Sequence, residues 1–281
     1  MTDALVLAGG GVAGIAWELG VLRGLADADP ALARRILAAD LIVGTSAGSS
    51  VAAQITSGVP LDELYAAQLR PETAEIEVDV DTNALLAEYA AALAGVTSPD
   101  EARRRVGRLA LAASTVEPAA RLAAIDARLP RQEWPDRRVL LPAVDAESGE
   151  EAIFDHDSGV SLRDAVAASC AVPGIWPPVM IDGRRYIDGG VRSTTNADLA
   201  AGADRVLVIQ PSLAGSPQPM GSLDAEIAAL APAVVEVISA DQASVDAFGS
   251  NLLSPATRAA SARAGRVVGK AQAAAVARAW I

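Results

Sequence analysis

Aromatic side chains are scarce. Two Phe, three Tyr and four Trp make up 3% of 281 residues, so the hydrophobic half of the chain (51%) is drawn from Ala, Val, Leu and Ile. Basic residues are short as well: 23 Lys and Arg stand against 35 Asp and Glu, a formal charge of −12. That balance excludes a nucleic-acid partner, which selects for a basic surface. It also excludes electrostatic adsorption to anionic headgroups, leaving transient membrane contact at most. A single cysteine, Cys170, rules out an internal disulfide and suits a reducing compartment. Between Ser169 and Ala171 it reads as a small packing residue. Long apolar runs are missing too. The stretches at 4–17 and 41–53 are broken by glycine and hydroxyl residues and fall short of the ~20 residues of a membrane span. With no basic leader at Met1-Thr2-Asp3, the expected location is cytoplasmic.

What is present is an alternation of strand and helix patterns. Ala4–Ala8 and Leu41–Val43 are continuous apolar runs, as in a parallel sheet covered on both faces. Each is followed by a helical stretch, Val12–Ala28 and Ser49–Thr56, which argues for an α/β fold with right-handed crossovers. Residues 61–130 are rich in Ala, Leu, Glu and Arg and lack strand patterning, so they read as a helical insertion; "EARRR" at 101–105 reads as its solvated face. Strand patterns return as hairpins at 138–155 and 179–187, the second turning on Asp182-Gly183, and again at Arg205–Gln210. The expected organisation is one domain over 1–281. Its core spans about 4–210, its insertion about 61–130, and helices fill about 223–281.

Two glycine-bearing turns carry the chemistry. In the first, Gly9, Gly11 and Gly14 have the spacing of a dinucleotide site, where helix N-terminal N–H groups receive a pyrophosphate. The same geometry receives an oxyanion formed in acyl transfer. A dinucleotide site places an acidic residue at the tip of the second strand. Here that tip reads Gly44-Thr45-Ser46-Ala47-Gly48, and Asp40 lies at the strand's other end. A non-catalytic nucleotide- or anion-binding α/β protein using the Gly9–Gly14 turn is the alternative this leaves open. The second turn, G-x-S-x-G between strand and helix, has the form of a nucleophile elbow, with Gly44 and Gly48 flanking Ser46. Two residues compete as base. His156, the one histidine, sits in the polar turn "DHDSG"; Asp188 precedes Gly189 and Gly190 on a loop with little crowding.

Taken together and in order, the Gly9–Gly14 turn, Gly-Thr-Ser-Ala-Gly at 44–48, "ASCAVPGIWPPV" at 168–179 and Asp188-Gly189-Gly190 resemble the patatin-like phospholipase family. The resemblance spans about residues 4–210. It implies a three-layer α/β/α sandwich with a mainly parallel central sheet and a helical insertion. It also implies a lipid acyl hydrolase that uses a Ser–Asp dyad without histidine, metal or other cofactor. On matching positions, Ser46 is the nucleophile and Asp188 the base, and the N–H groups of Gly9, Gly10 and Gly11 form the oxyanion hole. A carboxylate with its reference pKa near 3.9 is a weak base for an alcohol, so partial burial of Asp188 is expected to raise it. Trp176, Val172 and Ile175 are candidates for an acyl-pocket wall. The family's turn usually carries Arg or Lys where this chain has Ala13, which weakens the case for phosphate recognition more than for ester hydrolysis. The substrate implied is a lipid or acyl ester, with chain length, headgroup and oligomeric state left open.

Overall fold

The computed structural model describes residues 1–80, 82–216 and 220–280. In chain order the elements are β1 (Asp3–Leu7), α1 (Gly11–Ala28), α2 (Pro30–Leu37), β2 (Leu41–Gly44), α3 (Ala47–Thr56), α4 (Leu61–Gln68), α5 (Thr82–Leu93), α6 (Pro99–Ala112) and α7 (Pro118–Arg128). After these come β3 (Arg138–Asp145), β4 (Glu151–Phe154), α8 (Leu162–Ser169), β5 (Val179–Ile181), β6 (Arg184–Asp188) and β7 (Arg205–Leu213). The chain closes with α9 (Leu223–Ala229), β8 (Val234–Ala240), α10 (Gln242–Phe248) and α11 (Arg258–Ala279).

The sheet runs β5-β6-β3-β2-β1-β7-β8, with β4 paired to β3. From β3 to β8 all neighbours are parallel; β4, β5 and β6 form the antiparallel end. Leu5 and Leu7 of β1 enter one buried cluster and Ala4 and Val6 another on the opposite face. That is why these strands carry continuous rather than alternating apolar runs. The fold is the expected three-layer α/β/α arrangement with a mainly parallel sheet.

Three local readings are corrected. Asp29-Pro30 ends α1 as expected but also opens α2: the Asp29 carboxylate accepts from the N–H groups of Ala31 and Leu32, both at 3.0 Å. Residues 223–281 are not all helical, because Val234–Ala240 joins the sheet edge beside β7. Arg103 in "EARRR" is buried rather than solvated. It donates to Gly149 O at 2.8 Å and pairs with Glu151 at 3.0 Å, fixing the insertion to the β3–β4 hairpin.

Helix α11 lies against α1 at unusually short range. A Cβ added at Gly20 would stand 2.2 Å from Ala262 O, and one at Gly24 2.2 Å from Arg266 O. In return, Gly265 lies under Trp17 O and Gly269 under Val21 O, at 2.1 and 2.0 Å by the same measure. Two glycine pairs, four residues apart on each helix, let the backbones touch. No helix among the described residues is long and apolar enough to cross a membrane.

Candidate active site

Strand β2 ends at Gly44, and the chain turns at once into α3. A Cβ at Gly44 would meet Gly48 O at 2.5 Å, and one at Gly48 would meet Leu7 O at 2.1 Å, so this turn closes only with glycine at both places. Ser46 between them has φ 52° and ψ −113°, a region sparsely populated by side-chain-bearing residues. The strain is held from both sides. Ser46 N–H donates to Ser169 Oγ at 3.0 Å, and the Cys170 thiol donates to Ser46 O at 3.1 Å. Cys170 is therefore more than a small packing residue: with Ser169 it clamps the peptide of the strained serine.

Asp188 ends β6, its N–H bonded to Ala171 O at 3.0 Å. Oδ1 accepts from Gly190 N–H at 2.7 Å. Oδ2 is buried and, among the described residues, lacks a partner of full hydrogen-bond geometry, although the Ser46 hydroxyl lies near enough to favour the charged carboxylate. Burial pushes the Asp188 carboxyl up to about 6, against the opposing pull of Gly190 N–H, the Ser46 hydroxyl and the Arg121 charge. Arg121 is itself buried, stacked 3.9 Å from the centre of the Trp176 ring, and burial lowers its pKa to about 10.

Asn196 ties the two loops together. From a left-handed conformation, its Nδ2 donates to Thr45 Oγ1 at 3.0 Å, Gly189 O at 3.3 Å and Ser193 O at 2.6 Å. The Arg192 guanidinium fixes its Oδ1 at 2.7 Å. The elbow and the Asp-Gly-Gly loop thus share one anchor.

The glycine turn lies alongside. Gly11 has φ +63° and supplies the first turn of α1. Gly9 N–H is already donated to Thr194 O at 2.8 Å, which corrects the expectation of three free donors. Gly10, Gly11 and Val12 have no backbone acceptor among the described residues, which leaves their N–H groups open at this helix start.

These pieces share one cavity of about 390 Å³ that includes Ser46, Asp188 and the Gly9–Gly11 turn. Val172 and Ile175 line it as expected. Trp176 does not: it is 1% exposed and turned into the core beneath Arg121. His156 is also absent from it, lying exposed in a short 3₁₀ turn with Nδ1 3.2 Å from Asp157. Ala13 is fully buried, its N–H bonded to Leu252 O at 3.0 Å, and it does not line the cavity.

The family model for patatin-like phospholipases matches residues 5–201, more than half of the chain. The chain belongs to the patatin-like phospholipase family. Family membership places it among lipid hydrolases. No curated protein sequence matches it. Among solved structures it is similar to VipD from Legionella pneumophila, at 10% identity and a TM-score of 0.47, covering 98% of this chain and 67% of that one. It is also similar to the type III effector protein ExoU, at 12% identity and a TM-score of 0.42, covering 98% of this chain and 53% of that one.

Parts of this patatin-like site lie where no motif pointed. Leu85 and Tyr89 of α5 line the cavity, and Tyr89 OH donates to Pro173 O at 3.3 Å. Asn251, Leu252 and Leu253 close it from beyond the residues the family model matches. Asn251 Nδ2 in turn holds Val78 O at 2.8 Å. An apolar pair in a polar loop, Leu252-Leu253, is the one sequence signal that marks this wall.

Proposed function

We propose that the protein is a serine esterase acting on carboxylic esters of lipids, with Ser46 as nucleophile and Asp188 as proton acceptor. The observation that carries this reading is the shared cavity. A strained serine at a helix N-terminus stands there beside a buried carboxylate with a free oxygen and the unbonded N–H groups of Gly10 and Gly11. Ser46 Oγ attacks the carbonyl carbon as its proton passes to Asp188 Oδ2. The N–H groups of Gly10 and Gly11 receive the tetrahedral oxyanion, aided by the start of α1. The ester C–O bond then breaks, the alcohol leaves with the proton from Asp188, and an acyl group remains on Ser46. Water, deprotonated by the same carboxylate, attacks the acyl carbon; the acyl–Oγ bond breaks, Ser46 takes the proton back from Asp188, and the acid is released. A value of about 6 suits Asp188 to this role, because the group is ionised at neutral pH and is a stronger base than an exposed aspartate.

Asp40, the nearest acidic residue to β2, lies at the strand's other end, where it accepts from Asp3 N–H at 2.8 Å, and so favours the acyl-transfer reading over a dinucleotide site. The test is a fluorophosphonate probe with a p-nitrophenyl ester assay. Ser46→Ala is expected to fold and to lose labelling and hydrolysis together. Stoichiometric labelling that survives in this variant would place the nucleophile elsewhere.

A further inference from the structure

The cavity that holds Ser46 adjoins two further hollows. The 390 Å³ cavity shares Met220 with a second chamber of about 620 Å³, and it shares Val80, Leu85 and Ile175 with an outer cleft of about 530 Å³. Residues common to two hollows form the partitions between them, and these two partitions separate unlike surroundings.

Beyond Met220 the wall is largely apolar, with Leu93, Val96, Pro99, Ala102 and Ala225. Its charged groups are engaged with one another: Arg192 pairs with Glu151 and Asp198, each at 2.6 Å, and Glu226 accepts from Thr195 Oγ1 at 2.6 Å and Ala197 N–H at 2.7 Å. Beyond Val80 and Leu85 the cleft carries Glu77, Asp79 and Glu88, and no Lys or Arg among the described residues lines it. The 390 Å³ cavity likewise has no Lys or Arg among its described lining residues.

An acyl ester has two unlike ends, and these hollows sort them. An alkyl chain gains by leaving water for apolar walls. The alcohol portion is polar and must depart after the first step. We propose that the acyl chain extends from Ser46 toward Met220, which sets the longest chain accepted, while the alcohol portion faces the Val80–Leu85 side and its acidic cleft. The preferred substrates are then single-chain esters of medium length whose alcohol is uncharged or cationic. This rests on the reading of Ser46 and Asp188 as an acyl-transfer pair.

The volume sets the length. At about 30 Å³ for each water-sized group, the cavity holds about a dozen such groups, enough for one medium chain and its ester. A longer chain must displace Met220 or leave methylenes in water, and a methylene left there gains none of the about fourfold in binding that burial gives. Methionine suits a movable partition, being unbranched and flexible. An anionic alcohol portion would meet three carboxylates and no counter-charge among the described residues of the cleft, which disfavours it.

The test uses the intact protein and p-nitrophenyl esters from butyrate to palmitate. Wild-type kcat/KM is expected to rise about fourfold per methylene up to medium chains and to gain nothing for methylenes added beyond that peak. Met220→Ala, by joining the two chambers, is expected to move the peak to longer chains, and Met220→Phe to move it to shorter ones. Leu85→Ala is expected to leave the peak in place. A peak that moves with Leu85→Ala and not with either Met220 variant overturns the orientation.

For the alcohol side, decanoyl esters of choline, glycerol and glycerol phosphate are compared. The phosphate ester is expected to be the poorest, and Asp79→Lys combined with Glu88→Lys to narrow the gap by about threefold or more at low salt. Equal rates on all three esters, unchanged in the double variant, overturn that half. If the wild type is not labelled by the fluorophosphonate and cleaves no ester, the acyl-transfer reading itself fails. Labelling and turnover with the wrong variant response refute the orientation alone.

Discussion

Asp188→Asn is expected to make the protein more stable while abolishing its activity. The carboxyl is 5% exposed, and burial lifts it from an ordinary 3.8 to about 6. A difference of two units corresponds to about 3 kcal/mol between folded and unfolded states. Below the unfolded value near 3.8, both states carry the neutral acid and the group costs nothing. As pH rises, the unfolded chain ionises first, so stability falls until the folded carboxyl ionises near 6, and then levels off. Asparagine is neutral throughout and keeps an oxygen for Gly190 N–H. The variant is therefore expected to exceed the parent at pH 8 by up to about 3 kcal/mol, with the gain vanishing toward pH 4. At about 2–4 °C per kcal/mol in a chain of this size, the melting temperature rises by up to about 10 °C. Urea unfolding followed by circular dichroism at pH 8, 6 and 4.5 measures the gain, and an ester assay at pH 8 measures turnover. Equal or lower stability at pH 8 would refute the burial cost, and retained turnover would refute Asp188 as proton acceptor.

In the parent protein, kcat/KM is expected to fall about tenfold per pH unit below about 6, as Asp188 takes up a proton and can no longer receive one from Ser46. His156→Ala should keep both the activity and this acidic limb; a limb that vanishes with the imidazole would identify histidine as the titrating group. Asn196→Ala removes the donor shared by Thr45, Gly189 and Ser193, and is expected to lower kcat far more than it raises KM, as steady-state kinetics on a neutral ester would report. Gly269→Ala would place a methyl 2.0 Å from Val21 O and is expected to cost about 1–3 kcal/mol or more in urea unfolding, with the larger loss if α11 lifts away from α1.

The parallel core and both catalytic candidates were legible in the sequence because their signals are local. Continuous apolar runs mark β1 and β2, glycines flank Ser46 where backbone must pass backbone, and Asp188 ends a strand before two more glycines. What escaped was set by distant partners. Val234–Ala240 is rich in β-branched residues, but alanine-rich flanks hid it, and only β7 beside it makes it a strand. Gly9 belongs to the glycine turn by spacing, yet Thr194 O, far along the chain, takes its N–H. Trp176 sits in an apolar motif near the cavity, but Arg121 from the insertion draws its ring into the core. Leu85, Met220 and Leu252 have no motif at all, because they enclose the cavity through packing rather than through chemistry.

The contact between α1 and α11 also bears on when the protein first becomes able to act. The turn bearing Gly10 and Gly11 leads directly into α1, which seats Gly20 and Gly24 against Ala262 O and Arg266 O and receives Gly265 and Gly269 under Trp17 O and Val21 O. Leu252 O holds Ala13 N–H from the same late part of the chain. Synthesis runs from the N-terminus, so the glycine turn waits for a helix made well after it, and such long-range closure is slow. A growing chain on the ribosome can carry Ser46 and Asp188 long before it carries the helix that packs on α1 behind the glycine turn. On the proposed reading, an enzyme assembled in this order stays inactive until α11 is in place.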